Sequence, residues 1–522
     1  MPRQEHDVAS LSGSPPGTMR QVEVDGSKIL LARDGDTVFA VDATCPHAGG
    51  PLAEGVQRGD RVVCPWHKAA FCLKTGAVLD PPAVDRLRRY DVRIDGDRVL
   101  LTVPAADVAA APLLDDPRCL VIVGAGAAGA VAAQTLREEG FGGRVVMLDQ
   151  HNRVPYDRTV LSKYFLSGET GGEKSPLQSQ AFYRDHRIER RTAEVTHIDP
   201  RARRITCADG SVLDYDAVLL ATGAAPRRPG LPGADLRNVF MLRSRADADA
   251  ILGQAERSER AVVLGASFIG MEVAASMRER GLDVTVVGME KAPFASQLGE
   301  RIGSVFVSLH RKRGVAFRLG SEVAALEGDG VVHAVRLEDG TRVEGDLVVI
   351  GFGVSPVTGY ARDLPRGDDG GLAVDACLRV TGGVYAAGDI ARFPLRGDGA
   401  AIRVEHWRVA QQQGRVAALN MIGRPVRYDA VPVFWTIQYL KRLDYVGHAP
   451  EWDDIAVFGD TAKPEFLAYY VKDGKVAAAA GFDRDRDTAA LIELFTIRRD
   501  WTVEELGDNP AAVLAAREGE PR

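Results

Sequence analysis

No Cys-x-x-Cys pair occurs in this chain, and its six cysteines, Cys45, Cys64, Cys72, Cys119, Cys207 and Cys377, are scattered through 522 residues. The scatter argues against a disulfide framework and for a reducing compartment such as the cytoplasm. The missing pair removes the dithiol that a disulfide or peroxide reductase would use. No apolar run approaches the roughly 18–20 residues of a membrane helix. The opening MPRQEHDVASLSGSPPGT lacks the apolar core of a signal peptide, so residues 1–18 read as a disordered tail. An excess of basic charge is also missing. Lys and Arg number 65 against 72 Asp and Glu, a net charge of −7, which offers no footprint for nucleic acid. The length is too great for a single core and calls for several domains.

Residues 19–107 read as an all-β domain, because stretches such as KILLARDGDTVFAVD and YDVRIDGDRVLLTV alternate and turn at Asp-Gly. Residues 108–116 read as a linker rich in Ala, Pro and Asp. The character changes at residue 117. CLVIVGAG, AAGAVAAQTLREEG and RVVMLD form a strand–helix–strand unit of a parallel sheet, and a second copy runs from AVVLGASFIG to DVTVVGME. The fold class is therefore multidomain. It comprises an all-β domain, two α/β Rossmann-like folds (117–243 continued by 356–428, and 244–355), an α+β domain at 429–510 and a tail at 511–522.

Cys45-Pro-His47 is followed, after a spacer of sixteen residues, by Cys64-Pro-Trp-His67. Two Cys and two His in paired loops suit tetrahedral zinc or a Rieske [2Fe–2S] cluster. Zinc fingers group Cys with Cys and His with His. Here each loop supplies one of each, matching a cluster with two Cys on one iron and two His on the other.

Gly124-Ala-Gly126-Ala-Ala128-Gly129 follows a strand and opens a helix, and Asp149 ends the next strand twenty residues on. Such a turn lets the backbone approach a pyrophosphate at the helix N-terminus, and the carboxylate suits ribose hydroxyls. The second copy is Gly265-Ala-Ser267-Phe-Ile-Gly270, with Glu290 in the place that mirrors Asp149. Between Gly281 and Gly299 there is no arginine, and Lys291 is the one cation, so NADH is favoured over NADPH.

These motifs carry two resemblances. Residues 19–103 resemble the Rieske family. High-potential members add an inter-loop disulfide and Ser and Tyr hydroxyls near the cluster; here the corresponding positions hold Ala69 and Phe71, which implies a low potential for a Rieske centre. Residues 117–510 resemble the ferredoxin reductases of oxygenase systems and the apoptosis-inducing-factor-like flavoproteins, whose Rieske-bearing subgroup matches the whole architecture. The most specific piece is Pro155-Tyr-Asp-Arg158-Thr-Val-Leu-Ser-Lys163; Thr159 and Val160 stand where the family has two prolines. The resemblance implies that Arg158, Lys163, Val195, Thr222, Gly223, Arg243, Gly388, Asp389, Glu405, His406, Trp407 and Trp435 lie at FAD. It places Gly265, Gly270, Glu290 and Gly351 on the nicotinamide dinucleotide side.

The chain is thus expected to take electrons from NADH onto FAD and pass them through its own cluster to an external one-electron acceptor, such as an oxygenase component, a haem protein or a ferredoxin. Lys163 and Glu272 are the expected catalytic pair, and a monomer or homodimer would serve. A redox-controlled signalling protein with slow turnover, like the apoptosis-inducing-factor relatives, is the alternative. Because Glu290 suits a free ribose hydroxyl, kcat/KM should be higher for NADH than for NADPH. A clear NADPH preference in that comparison would mean that the strand end was misread.

Overall fold

The computed structural model describes residues 4–106, 112–169, 176–396 and 399–517. The N-terminal Asp-Gly turns join the strands of an antiparallel six-stranded sheet, in the order Gln4–Ser10, Arg98–Ala106, Arg89–Asp95, Thr37–Asp42, Ser27–Asp34 and Met19–Val24. A four-stranded meander, Val56–Arg58, Arg61–Val63, Ala70–Cys72 and Val78–Asp80, adjoins it.

The middle of the chain holds two parallel sheets of like order. In the first, Ile188–Thr192, Arg144–Asp149, Cys119–Val123, Ala217–Leu220 and Val384–Ala386 lie side by side, with Arg379–Thr381 added antiparallel at the edge. In the second the order is Val239–Met241, Leu347–Ile350, Arg260–Leu264, Asp283–Gly288 and Ala316–Leu319. Their central strands are buried almost throughout, because helices cover one face of each sheet and a three-stranded antiparallel sheet covers the other: Val195–Asp199, Arg204–Cys207 and Val212–Asp214 on the first, Val323–Gly328, Val332–Leu337 and Arg342–Glu344 on the second. Helix α1 (Ala127–Glu138) follows the central strand of the first sheet, and α2 (Phe268–Glu279) that of the second. Helices α3 (Ala295–Arg311) and α4 (Trp407–Met421) come later in the chain. A C-terminal antiparallel sheet has the order Val433–Gln438, Lys441–Gly447, Lys475–Phe482, Glu465–Lys472 and Asp454–Asp460. Among the described residues no helix is long and apolar enough to cross a membrane.

Two readings of the sequence need correction. Residues 1–18 are not a disordered tail in their described part, because Gln4–Ser10 pairs with Arg98–Ala106 and Val8 and Ala9 pack on a small core containing Tyr90 and Leu101. The short alternation in QEHDVAS was too polar to stand out. Residues 511–522 likewise include the helix Pro510–Ala515, which buries Leu514; residues 518–522 lie outside the described part. The linker at 108–116 also lies partly outside the described residues. Its described end is tied down, since Leu114 N–H donates to Gly140 O at 2.7 Å.

The N-terminal domain is not a loosely tethered unit. Val56, Val63 and Ala70 of its meander share one core with Val433, Leu467, Leu491 and Trp501 of the C-terminal part. Charges cross the same boundary. The Lys68 ammonium is fully buried 2.8 Å from Asp444 Oδ2 and also donates to Asp485 O at 3.0 Å. Arg61 Nε donates to the buried Glu493 Oε1 at 2.7 Å, and Arg408 of α4 donates to Pro81 O at 3.0 Å. Burial opposes the charge on Arg61, but Asp80 and Glu493 outweigh it and hold its pKa above the ordinary arginine value. Glu493→Gln should therefore cost about 2 kcal/mol, the scale of a hydrogen bond to a charged group. Urea denaturation of the full chain checks this, and an unchanged midpoint would show that the pair contributes nothing to docking.

Candidate redox site

Cys45 and His47 lie just past the strand Thr37–Asp42, and Cys64 and His67 in the loop between Arg61–Val63 and Ala70–Cys72. Local pairing closes both loops: Cys45 N–H donates to Gly50 O, and Cys64 N–H to Ala69 O, each at 2.8 Å. The two buried thiols are neighbours. The two imidazoles turn their Nδ1 atoms towards each other at 3.2 Å. Gly50 is needed here, because a Cβ at that position would sit 2.7 Å from Cys64 Sγ.

The protonation chemistry suits metal ligation. The Cys64 thiol is brought down to about 7 by the hydrogen bond from Cys45 and by the N–H groups of Trp66 and His67, against burial. Its partner Cys45 is pushed up by the same pairing and by burial. Burial, then the neighbouring Arg442, keeps His67 neutral. A thiolate and a neutral imidazole are the forms that bind metal. The donors form a thiol pair and an imidazole pair, one for each iron of a Rieske centre. Among the described residues, no group of three or more His, Cys, Asp or Glu is arranged to hold a single ion. Ala69 and Phe71 are fully buried and bring no hydroxyl to the cluster. Cys72 stands apart on the next strand, half-buried.

The two halves of the site meet through register. Asp444 is the cross-strand partner of Trp435. Lys68 is bound to Asp444, so the preceding residue, His67, comes to rest on Trp435, with ring centroids 5.1 Å apart. The other edge of Trp435 meets His406, whose ring lies 4.9 Å away. His47 Nε2 approaches Asp157 Oδ2 at 3.8 Å, in the loop that carries Arg158.

That loop leads through a short 3₁₀ turn, Arg158–Val160, into a single π-helical turn, Leu161–Phe165. Such turns are rare and frequent at functional sites. Lys163 Nζ lies 2.9 Å from Glu272 Oε2 on α2 and 3.1 Å from Thr159 O. Glu272 is 2% exposed and accepts two further bonds, from Ser162 and from Thr436 Oγ1 at 2.7 Å. Arg243 Nη2 donates to Asp389 Oδ2 at 2.9 Å beside Gly223. Thr222 Oγ1 donates to Val357 O at 2.7 Å.

The cleft fits FAD on two observations. Arg243 Nε, His406 Nδ1, Trp407 Nε1 and Gln413 Nε2 are buried without a hydrogen-bond partner. An orphaned buried polar group costs about 1–3 kcal/mol, so ligand atoms are the natural complement. The N-terminus of α1 begins at Gly126 with no side-chain cap, and a Cβ there would meet nothing within 4 Å, leaving room for a pyrophosphate. Burial, with Lys163 and Arg408 nearby, lowers the His406 pKa to about 3. Burial, then Arg243, lowers that of Arg158, while burial raises that of Glu405 despite its ion pair with Arg403.

Elsewhere the expected residues spread out. Gly124, Ala128 and Gly129 line the first turn, and Asp149 ends its strand with Oδ1 accepting from His151 N. Gly388 donates to Gln413 Oε1 at 2.8 Å. Val195 opens the separate strand Val195–Asp199 and pairs with Cys207. In the second fold a Cβ on Gly265 would meet Gly351 O at 2.5 Å, and Ser267 caps α2 by accepting from Gly270 N–H. Glu290 is exposed and accepts from Ala295 N–H at 3.0 Å. Asp157, Ser162 and Thr436 were not singled out from the sequence. The first two lie inside the P-Y-D-R…L-S-K segment and the third follows Trp435, so adjacency to a motif was the available signal.

The family model described as pyridine nucleotide-disulphide oxidoreductase matches residues 118–414, more than half of the chain. The chain belongs to the pyridine nucleotide-disulphide oxidoreductase family. Within it, the sequence before residue 92 matches the Rieske [2Fe-2S] domain (residues 4–91), and residues 433–515 match the reductase C-terminal domain. Apoptosis-inducing factor 3 of Homo sapiens is 36% identical over 502 residues, covering 92% of this chain and 82% of that protein. Rhodocoxin reductase of Rhodococcus erythropolis is 33% identical over 392 residues, covering 74% and 92%. The covalent putidaredoxin reductase–putidaredoxin complex superimposes with a TM-score of 0.74 at 30% identity, covering 78% of this chain and all of that one. The protein is a flavin-dependent oxidoreductase of this family with an N-terminal Rieske domain.

All six cysteines of this chain are free, and none stands next to Lys163 in the sequence. The purified protein should contain one FAD, two irons and two acid-labile sulfides per chain. Stoichiometric zinc without labile sulfide would overturn the cluster.

Proposed function

We propose that this protein takes electrons from NADH at an FAD held beside Lys163, passes them to its own Rieske cluster, and reduces an external one-electron acceptor protein. One observation carries the reading. A cluster histidine, His67, and a residue of the flavin cleft, His406, lie against the same buried Trp435. When bound, FAD converts the two-electron chemistry of the nicotinamide into single electrons that an iron–sulfur centre accepts.

The residues divide the tasks. Gly124, Gly126, Ala128 and Gly129 shape the turn for the pyrophosphate, and Asp149 suits ribose hydroxyls. Arg158 and Arg243 bring positive charge to the diphosphate side, and Arg243 is oriented by Asp389. Gly265, Gly270 and Gly351 keep backbone close to backbone where NADH would enter. Glu272 holds the Lys163 ammonium in place, so a fixed positive charge stands where negative charge builds up on reduction. Cys45 and Cys64 would hold one iron, His47 and His67 the other. His67 approaches the flavin cleft because Lys68 is anchored.

The relatives support the acceptor class. Proteins named ferredoxin–NAD(+) reductase components of the biphenyl and anthranilate dioxygenase systems are 33% and 34% identical. An oxygenase component, a ferredoxin or a haem protein would suit this chain, and free cysteines suit a reducing compartment such as the cytoplasm.

His67→Ala separates the two half-reactions. One iron loses an imidazole, so the cluster should be lost. In anaerobic stopped flow, NADH should still bleach the flavin at a near-normal rate, while reduction of cytochrome c falls to background. Undiminished cytochrome c reduction without a cluster would take the Rieske domain off the electron path.

A further inference from the structure

Glu272 is the end point of a buried hydrogen-bonded chain that starts far from the cofactor motifs. Thr436 Oγ1 lies 2.7 Å from Glu272 Oε1, Gln438 Nε2 lies 3.2 Å from Thr436 Oγ1, and His310 Nε2 lies 2.7 Å from Gln438 Oε1. Tyr439 Oη reaches His310 Nδ1 at 3.5 Å, the outer limit of a hydrogen bond, and its ring meets the imidazole edge-on. Thr436, Gln438 and His310 are at most 1% exposed. Their burial removes them from bulk solvent, so each bond depends on its neighbours.

The donor directions follow from one end. A carboxylate accepts only, so the Thr436 hydroxyl must donate to Glu272. Its oxygen then accepts from the Gln438 amide N–H, which turns the amide oxygen towards His310. That oxygen needs a donor, so His310 carries its proton on Nε2 and leaves Nδ1 to accept from Tyr439. Burial lowers the His310 pKa to about 4, although the Gln438 bond opposes it, and the ring is neutral as this pattern requires.

The backbone adds an independent observation. Thr436 and Gln438 share one face of the strand Val433–Gln438, two residues apart. The turn that follows places Tyr439 and Leu440 at φ of 55° and 60°, where Asn-Gly is the usual choice. Left-handed backbone at bulky residues persists only where the surroundings over-determine it. Here the tight turn delivers Tyr439 to His310, and Arg313 covers the Tyr439 ring at 4.2 Å.

We propose that His310 is a positioning residue for the reductive half-reaction: through Gln438 and Thr436 it fixes Glu272, and through Glu272 it fixes the Lys163 ammonium. The proposal rests on the reading that this ion pair stands at the flavin. Without the His310 donor, the Gln438 amide is free to turn over and offer its oxygen to Thr436. The Thr436 hydroxyl then donates away from Glu272, and the carboxylate keeps Ser162 and Lys163 alone. The groups that would hold NADH are unchanged, so substrate binding is untouched and the loss falls on the rate of hydride transfer.

The experiment uses the holoenzyme. Anaerobic stopped flow follows flavin reduction by NADH in the single variants His310→Phe, Gln438→Leu, Lys163→Met and Glu272→Gln and in the double variant His310→Phe/Glu272→Gln. Lys163→Met should slow reduction roughly tenfold to a thousandfold. His310→Phe and Gln438→Leu should each slow it about tenfold, the scale of losing an outer-shell partner, with the NADH dependence unchanged. His310→Gln, which keeps a donor to Gln438, should restore the rate. The flavin midpoint potential, read by spectroelectrochemistry, should shift in the same direction in His310→Phe as in Lys163→Met. In the Glu272→Gln background, His310→Phe should slow reduction no further. If Lys163→Met leaves the rate unchanged, the reading of the site fails and the proposal with it. If Lys163→Met is slow but His310→Phe and Gln438→Leu are normal, or if the His310 and Glu272 effects add in full, His310 serves core packing alone and the proposal is overturned.

Discussion

The Lys68 ammonium and the Asp444 carboxylate meet in a place that neither could occupy alone. Each is at most 1% exposed, and Arg442 and the Thr488 hydroxyl complete the coordination of the carboxylate. Burying either charge unpaired costs several kcal/mol, so the contact exists only when the cluster loop and the C-terminal sheet are pressed together in one register. The consequences are geometric. Lys68 adjoins His67 in the chain, and Asp444 adjoins Trp435 across the sheet. Fixing the ion pair fixes the imidazole on the indole. The N-terminal domain therefore behaves as a built-in part of the reductase, with a shared apolar core behind the charges.

The strand Val433–Gln438 extends this logic to the flavin side. Successive side chains of a strand point to opposite faces. Trp435 looks towards His67 and His406, while its neighbour Thr436 looks the other way and donates to Glu272. One strand thus touches the loop of His67 on one face and Glu272 on the other, and the rigidity of its sheet holds the two at a set separation. Ordering by packed strands is more exact than ordering by a linker, which suits an electron path that must not change length.

Glu272 shows how little of the site belongs to any one domain. It stands on a helix of the second dinucleotide fold, takes Ser162 and Lys163 from the first, and takes Thr436 from the C-terminal sheet. Three units of chain meet on one carboxylate. The first fold contributes two donors and the C-terminal sheet one, and the carboxylate from the second fold offers lone pairs to all three. The site exists only in the assembled molecule.

Local chemistry wrote the cofactors into the chain. Cys45-x-His47 and Cys64-x-x-His67 carry the proposed ligand set, in which each loop would supply one donor to each iron. The glycine turns at Gly124 and Gly265 announce dinucleotide folds because only small residues let backbone approach backbone. The pairing of Lys163 with Glu272 was legible too, since each sits in a recognisable motif. What the sequence could not determine was how the units meet. Gln4–Ser10 was hidden because its pairing partner lies about ninety residues away. His310 carries no local mark at all, being one histidine on an amphipathic helix until α3 packs against the C-terminal sheet. Lys68 reads as a surface lysine until docking buries it on Asp444. Motifs depend on neighbours in the chain, whereas buried polar contacts depend on partners that only the tertiary fold brings within hydrogen-bond reach.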